Sequence, residues 1–406
     1  MGDKVVSMAK KKTNTSSGKS TKKTASKKPA GVESPKDSAA LDGLRKKIDR
    51  IDQKLVAMLN DRANCVVEVG EIKRGSDTPI YAPHREAQVL QRAIDNNSGP
   101  LPDKTIEAIY REMMSGSFAL ERPLRIGYLG PPGSYSHQAS VKQFGSSVDY
   151  TDLRLISAVF SEVRRGHANY GLVPIENSIG GGITETLDAL WGNAGKVHVY
   201  AEIQLAIHHM FLSDADPKHI RRIHSKPEVF AQCRSWLSAQ YPEATLCPDV
   251  STSQSVQTAM NENTTARSIG ADPGSASIAS ELAGELYGLP CVYEGIEDNP
   301  DNITRFYVIS KEKAGRTGDD KTAITFVTED THGALVEVLQ SFHNAGVNLS
   351  HIDKRPSGRE NWNYTFYIDA SGHRDDPEMK KALKDAKVHC KEIHVLGSFP
   401  RSSRIL

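Results

Sequence analysis

The sequence predicts a multidomain protein of the α and α/β classes, and three observations predict it. Residues 41–121 are rich in helix formers and poor in glycine, with apolar residues recurring at steps of three and four. Residues 124–310 alternate short β-like runs (LRIGYLG, GLVPI, RFYVIS) with helix-like stretches. After a polar linker at 311–321, residues 322–400 read strand, helix, strand, strand, helix, strand. A chain of 406 residues has room for two to four domains, and its 38% apolar residues suffice for sizeable cores.

The first 40 residues stand apart. They hold ten lysines against three acids, Asp3, Glu33 and Asp37, a charge of +7. The whole chain is at +1, so the other 366 residues are at −6. The stretch AKKKTNTSSGKSTKKTASKKPAG has almost no apolar residue to repay chain ordering, which predicts a disordered basic tail over 1–40. It lacks the apolar segment of a secretory signal, and its lysine bias does not suit an organelle transit peptide. No run approaches the ~18 apolar residues of a membrane span. Five cysteines, Cys65, Cys233, Cys247, Cys291 and Cys390, are scattered without a CxxC. That pattern fits a reducing cytoplasm and neither a disulfide framework nor a zinc site. No nucleic acid and no membrane is expected as a partner.

In the helical segment, Leu41, Leu44, Ile48, Ile51, Leu55 and Met58 form one helix face. The same seam continues through Arg62, Cys65, Val69 and Ile72, so Arg62 puts a charge into a packing stripe. Lys73 lies eleven residues on and returns to within ~20° of Arg62. A helix over 41–74 is roughly 50 Å long, longer than a small domain is wide, and is expected to pair with a second chain as a homodimer or higher homo-oligomer. Gly75 and Pro79 should end it. A second helix should begin near Pro83, with Arg85 and Glu86 in its first turn, and a third should cover 101–121. There Ser117 and Glu121 stand i, i+4 on one face. Buried cations are costly unless paired. Arg62, Arg85 and Glu86 therefore read either as interhelical salt bridges or as parts of a dianion pocket.

The α/β body opens with LRIGYLGPPGSYSHQAS (124–140), a strand ending in Gly-Pro-Pro-Gly before Ser134, Tyr135 and Ser136 start a helix. Neither GxxxxGK[ST] nor GxGxxG is present, which excludes a P-loop and the dinucleotide fingerprint. A helix N-terminus with free amides suits an anion such as a carboxylate. In PIENSIGGGITETLD, Glu176, Asn177 and Ser178 end a strand, Gly180 to Gly182 follow, and Thr184 is expected to cap a helix. An ordinary glycine loop is the plainer reading of that triplet. DVSTSQSV places Ser251 and Thr252 at another helix start, and DNITRFYVIS places Thr304 and Arg305 at the head of a strand. In the C-terminal segment His332-Gly333 turns into a helix, and the βαββαβ order predicts an antiparallel sheet with two helices on one face.

These residues carry resemblances. LRKKIDRIDQKLVAMLNDRANCVVEVGEIK followed by HREAQVL resembles the all-helical chorismate mutase domain, a dimer intertwined through its long helix. GPPGSYSHQA, VPIENSIGGGITETLDAL, HSKPEVFAQC, DVST, ASELAGELYGL and NITRF, in that order, resemble prephenate dehydratase. That family folds as two α/β lobes, like the periplasmic binding proteins, with its site between them. GALVEVL and IDKRP resemble the ACT regulatory domain, in which phenylalanine binds at a domain interface. The resemblance implies a bifunctional chorismate mutase/prephenate dehydratase with boundaries at 41–122, 124–310 and 322–400. It implies that Arg62 and Lys73 hold carboxylates and the ether oxygen, that Arg45 reaches the other subunit's site, and that Glu86, supported by Arg85, takes the ring hydroxyl. Ser117 and Glu121 would close that pocket. A family carboxylate falls at Ala82 here, and some members carry glutamine at the position of Glu121. A carboxylate facing developing negative charge fits when protonated, so Glu121 is expected to have a raised pKa.

For the dehydratase the resemblance makes Thr304 the group assisting departure of the ring hydroxyl, with Arg305 holding a carboxylate. Ser134, Ser136, Glu176, Asn177, Ser178, Ser251, Thr252 and Glu281 are further substrate-binding candidates. Gly333, Ala334, Leu335, Val336, Asp353, Lys354, Arg355 and Pro356 map onto the phenylalanine motifs, with Lys354 where serine is usual. The rearrangement of chorismate needs substrate folding and charge beside the ether oxygen. Prephenate gains aromaticity on losing carbon dioxide and water, so help for the leaving hydroxyl suffices. Neither step needs a metal or cofactor. Two other readings stay open: a dehydratase with a degenerate helical domain, and a non-catalytic sensor of an aromatic acid. For the C-terminal segment a purely dimerising role also stays open.

Overall fold

A computed structural model describes residues 35–73, 81–121, 123–356, 364–402 and 404–406. The expected disorder of the basic tail and the Gly75–Pro79 helix stop lie outside those residues. The chain divides into two compact units, Met1–Asn60 and Asp61–Leu406.

The first unit, where described, is the N-terminal part of a 39-residue helix, α1 (Pro35–Lys73). It begins within the stretch expected to be an unordered tail. Proline at the first helical position, followed by alanines and Leu41, explains the earlier start. The apolar seam is exposed: Leu44 is 59%, Ile48 56% and Met58 67% accessible.

In the second unit, α2 (Pro83–Asp95) and α3 (Asp103–Glu121) follow. Tyr81, just before α2, is buried in a cluster of rings with Phe144, Tyr170 and Tyr200. It thereby joins the helical segment to the core of the α/β body.

That body starts with β1 (Arg125–Leu129), α4 (Tyr135–Phe144), β2 (Asp149–Leu153), α5 (Ile156–Arg165), β3 (Tyr170–Asn177), the short β4 (Gly181–Gly182), α6 (Thr184–Gly192) and β5 (His198–Ala206). The chain then crosses to a second lobe: β6 (Met210–Leu212), β7 (Arg222–Ser225), α7 (Pro227–Gln232), α8 (Arg234–Gln240), β8 (Thr245–Pro248), α9 (Thr252–Ser268), β9 (Ser275–Ala279), α10 (Glu281–Tyr287) and β10 (Cys291–Tyr293). It returns as β11 (Ile303–Ser310). The first sheet runs β2-β1-β3-β11-β5 with β4 on β3, and the second runs β10-β6-β9-β7-β8. In the first sheet β1 is parallel to β2 and β3, and β11 is antiparallel to β3 and β5. The crossing points therefore gather the end of β3, the end of β5 and the start of β11 at one edge of the first lobe. In open α/β sheets that is where ligands bind.

The C-terminal domain holds β12 (Asp320–Val327), α11 (Ala334–Asn344), β13 (Leu349–Pro356), β14 (Tyr364–Ser371), α12 (Pro377–Lys387) and β15 (Glu392–Pro400). Its antiparallel sheet runs β13-β14-β12-β15. One face packs Ile324, Phe326 and Ile368 against Val338 and Phe342 of α11 and Met379 and Ala382 of α12. The other face puts Ala323, Tyr367, Leu396 and Phe399 into the core of the first lobe. All eight residues of β12 are buried, as a strand covered on both faces must be. No described helix is long and apolar enough to cross a membrane.

Candidate active sites

In the helical segment, Arg62 is half-buried and its Nη1 donates to Ser117 Oγ at 2.9 Å. The Ser117 hydroxyl in turn donates to Met113 O at 2.8 Å, which fixes its lone pairs toward Arg62. Arg45 is exposed and paired with Asp42 at 3.4 Å. The side chains of Lys73 and Glu121 lie outside the described residues.

Glu86 goes elsewhere. It shares the inward stripe of α2 with Leu90, four residues on, and both are buried. Gln143 of α4 donates to its carboxylate at 3.3 Å and to the Tyr81 hydroxyl at 2.9 Å. Burial raises its pKa from 4.5 to about 7, against the opposing pull of Arg404, Arg111 and the Gln143 bond. With Arg404, His84 and Gln204 it lines a cavity of about 340 Å³. Arg85 is exposed beside Gln88. Ala82 ends the chain before α2 without a side-chain cap. Among the described residues no hydrogen bond or ion pair joins Glu86 or Arg85 to Arg62.

The α/β body assembles a tighter group. Thr304 of β11 pairs in register with Asn177 of β3, and their side chains share a face. Asn177 Nδ2 donates to Thr304 Oγ1 at 3.0 Å and to Asn302 Oδ1 at 2.7 Å. Its Oδ1 accepts from the amides of Ile179 and Gly180 at 3.0 and 2.8 Å. Ser178 closes the same turn, accepting from Ile303 N at 3.0 Å. Asn302, 1% exposed, donates to Gln232 Oε1 at 3.3 Å. Gln232 Oε1 also meets His209 Nε2 at 2.7 Å, and Tyr135 Oη meets His209 Nδ1 at 2.6 Å. Burial lowers the His209 pKa. A neutral ring fits both contacts, with Nε2–H donating to Gln232 and Nδ1 accepting from Tyr135. The chain of bonds runs from Thr304 to both crossings between the lobes.

Both lobes present capped helix starts. Ser134 caps α4, accepting from His137 N at 3.2 Å, and Ser251 caps α9, accepting from Gln254 N at 3.1 Å. Ser136 and Thr252 are buried behind them. Across the lobes, Ser280 Oγ donates to Gly133 O at 2.6 Å. Ser253 Oγ is buried without a hydrogen-bond partner, and it lies close to Gly133. Thr184 is the first residue of α6 and not its cap; the cap position is Ile183, without a side-chain bond. Glu281 is exposed and lines a groove with Glu285 and Glu294.

Arg305 and Glu176 face the other way. Strand alternation puts them on the side of the sheet opposite Thr304 and Asn177. Arg305 Nη1 donates to Glu176 at 2.9 Å and Nη2 to Asp369 of β14 at 2.5 Å. These two side chains hold each other, and Arg305 also holds the C-terminal domain.

In that domain Gly333 takes φ 85° at the start of α11, a left-handed position that glycine occupies without strain. Ala334 and Leu335 line a cavity of about 160 Å³ with Thr331, Tyr364 and Phe366, while Val336 is exposed. Asp353, Lys354, Arg355 and Pro356 lie on β13 and do not line that cavity. Asp353 lies against Gly182, where a Cβ would overlap its carboxylate. Arg355 pairs with Asp188 of α6 at 3.0 Å, and Lys354 Nζ sits 5.2 Å from the Tyr364 ring centre. At Gly182 the glycine run makes room for the C-terminal domain.

Family models match three stretches: chorismate mutase type II over 44–122, prephenate dehydratase over 126–314 and the ACT domain over 322–388. The bifunctional chorismate mutase/prephenate dehydratase of Stutzerimonas stutzeri is 38% identical over 369 residues, covering 89% of this chain and 98% of that one. The Aquifex aeolicus protein of the same name is 36% identical over 89% of this chain and 98% of its own.

The chain belongs to the bifunctional chorismate mutase/prephenate dehydratase family.

It is an enzyme with a helical mutase segment, a two-lobed dehydratase domain and an ACT domain. Among solved structures, the prephenate dehydratase of Arthrobacter aurescens, in complex with L-Phe, is 32% identical with a TM-score of 0.62 over 68% of this chain and 90% of that one. The prephenate dehydratase of Staphylococcus aureus is 26% identical with a TM-score of 0.57 over 68% of this chain and 100% of that one. Reading the sequence missed three members of the dehydratase group: Asn302, Gln232 and His209. For Asn302 a signal existed, because it lies two residues before Thr304 and shares its face by period two.

Proposed function

We propose that Thr304 is the hydrogen-bond donor to the leaving hydroxyl of prephenate. The observation that carries this is the bond from Asn177 Nδ2 to Thr304 Oγ1. An amide donor occupies the acceptor side of the hydroxyl, so the Thr304 proton is free to point into the cleft. As the C–C bond to the ring carboxylate breaks, its electrons enter the ring and expel the hydroxyl. The hydroxyl takes a proton and leaves as water, and carbon dioxide and phenylpyruvate remain. Asn177, held by Asn302, orients Thr304. The amides at the starts of α4 and α9, beside Ser134, Ser136, Ser251 and Thr252, face the carboxylates of the substrate.

In the mutase segment, Arg62 with Ser117 supplies the positive charge beside the ether oxygen, Lys73 and Glu121 complete the pocket, and Arg45 belongs to the partner's site. The exposed seam of α1 supports a homodimer through that helix. Boundaries of 41–122, 124–310 and 322–400 divide the chain into mutase, dehydratase and regulatory domains, after a basic tail over 1–40. L-phenylalanine is the inhibitor, bound near Gly333, Ala334 and Leu335 and, from an adjoining copy, Asp353 to Pro356. The L-Phe complex of the 32%-identical dehydratase supports this. Five unpaired cysteines support a cytoplasmic enzyme.

Purified protein given chorismate or prephenate tests the proposal by phenylpyruvate release. Release from both substrates is expected. The burial of Glu86 away from Arg62, together with Ala82, favours a second reading in which the mutase is weak. Release from prephenate alone would select it. Release from neither would overturn the enzymatic assignment.

A further inference from the structure

The structure assigns Arg305 a role that neither reaction chemistry nor substrate binding requires: we propose that it positions Thr304 by tying the start of β11 to the ACT sheet through Asp369. Three carboxylates surround its guanidinium, Glu176 at 2.9 Å, Asp369 at 2.5 Å and Glu202 at 3.5 Å. Asp369 and Glu202 have side chains 2% and 0% exposed, so these are buried charges that need their partner. Asp369 spends its second oxygen on Tyr307, whose hydroxyl donates at 2.7 Å. Both oxygens of one ACT carboxylate are therefore held by β11, from residues 305 and 307. Lys321 of β12 closes the group, donating to Glu202 at 2.8 and 3.0 Å. Three acids against two cations leave no net positive charge to attract a substrate dianion. The Arg305 Nε is buried without a hydrogen-bond partner.

The tie acts where the reacting group sits. Arg305 is the next residue after Thr304, and the register of β11 against β3 shifts between Arg305 and Phe306. Thr304 and Arg305 stay paired with Asn177 and Glu176 and with β5, and the ladder to β3 changes register just after them. The same ACT face reaches the partner of Thr304 as well. His351 of β13 lies 3.5 Å from Glu176, the residue before Asn177, and Asp353 presses on Gly182 in the turn that follows. Any rearrangement of β13 and β14 thus moves the two strands whose ends carry Asn177 and Thr304. A ligand that favours one arrangement of the ACT sheet changes dehydration by this route.

This inference rests on the reading that Thr304 assists the leaving hydroxyl. Asp369→Asn keeps the shape and an acceptor for Tyr307 but removes the charge facing Arg305. The expected result is a ~10-fold or greater fall in kcat for prephenate, with KM within about twofold and mutase activity unchanged. Arg305→Gln should give the same pattern, and the double variant should be no worse than either alone. Arg305→Lys should recover part of the kcat. Phenylalanine should change the activity of Asp369→Asn by a smaller factor than that of the parent. If Asp369→Asn fails to fold, Tyr307→Phe, which removes one bond to the same carboxylate, should lower kcat in the same direction by a smaller factor. A raised KM for Arg305→Gln beside an unaffected Asp369→Asn would overturn the proposal and return Arg305 to substrate binding. Parent-like kcat and phenylalanine response in Asp369→Asn would overturn it too. Thr304→Val, run alongside, separates the two layers. If that variant dehydrates prephenate normally, the reading of Thr304 falls whatever Asp369→Asn shows.

Discussion

The two candidate active sites are built in opposite ways. The dehydratase group is complete within one chain. Thr304, Asn177, Asn302, Gln232 and His209 are linked by successive hydrogen bonds at the crossings between two lobes. Of the mutase candidates in the second unit, Arg62 meets Ser117, whereas Glu86 is buried against another domain. The difference follows from the elements. A sheet edge brings strand ends together without help from another molecule. A helix whose apolar seam is uncovered has no second wall of its own.

That contrast can be broken at either end. The largest effect is expected from Arg62→Ala, which should lower mutase kcat/KM by ~10²–10³ while dehydration of added prephenate is unchanged. Equal losses in both assays would mean that the sites are not independent. Next, Asn177→Asp removes the donor to Thr304 and retains the acceptor for the Ile179 and Gly180 amides. It should cost dehydratase kcat ~10–10², with the mutase untouched. A smaller signal concerns the ACT turn. Phenylalanine should raise the melting temperature of the parent, and Gly333→Val, which forces a β-branched residue to a positive φ, should abolish the shift. A shift that survives would place the phenylalanine site elsewhere.

The smallest expected effect sharpens the assignment of Glu86. Its folded pKa of about 7 exceeds the ordinary 4.5, so the folded state holds the proton more tightly than the unfolded state. That contribution to stability is fully present below about pH 4.5 and is lost as pH rises through about 7, a change on the order of 3 kcal/mol. Glu86→Gln should therefore melt higher than the parent at about pH 8, with the gap shrinking towards pH 5. A pH-independent gap would mean that Glu86 is not buried as a neutral acid.

Much of the fold was legible because periodicity carries it. The three-and-four spacing from Leu41 to Met58 gave α1, and the order of strands and helices after residue 322 gave the ACT sheet. Thr304 was legible at the head of its strand. Alternation alone puts Arg305 and Glu176 on the face opposite Thr304 and Asn177. What covers that face is a tertiary fact, and here it is β14 carrying Asp369. For Glu86 the stripe it shares with Leu90 says that it is buried but not against what. Gln232 and His209 reach Thr304 through contacts far apart in sequence; Gln232 falls within the HSKPEVFAQC stretch, but the stretch does not say that it faces Thr304.

The central claim is that dehydration depends on the Thr304 hydroxyl at a site separate from the mutase. Thr304→Val keeps the shape and removes the hydroxyl. Supplied with chorismate, this variant should consume it at the parent rate, accumulate prephenate and release almost no phenylpyruvate. Phenylpyruvate at the parent rate, or loss of chorismate consumption as well, would contradict the account.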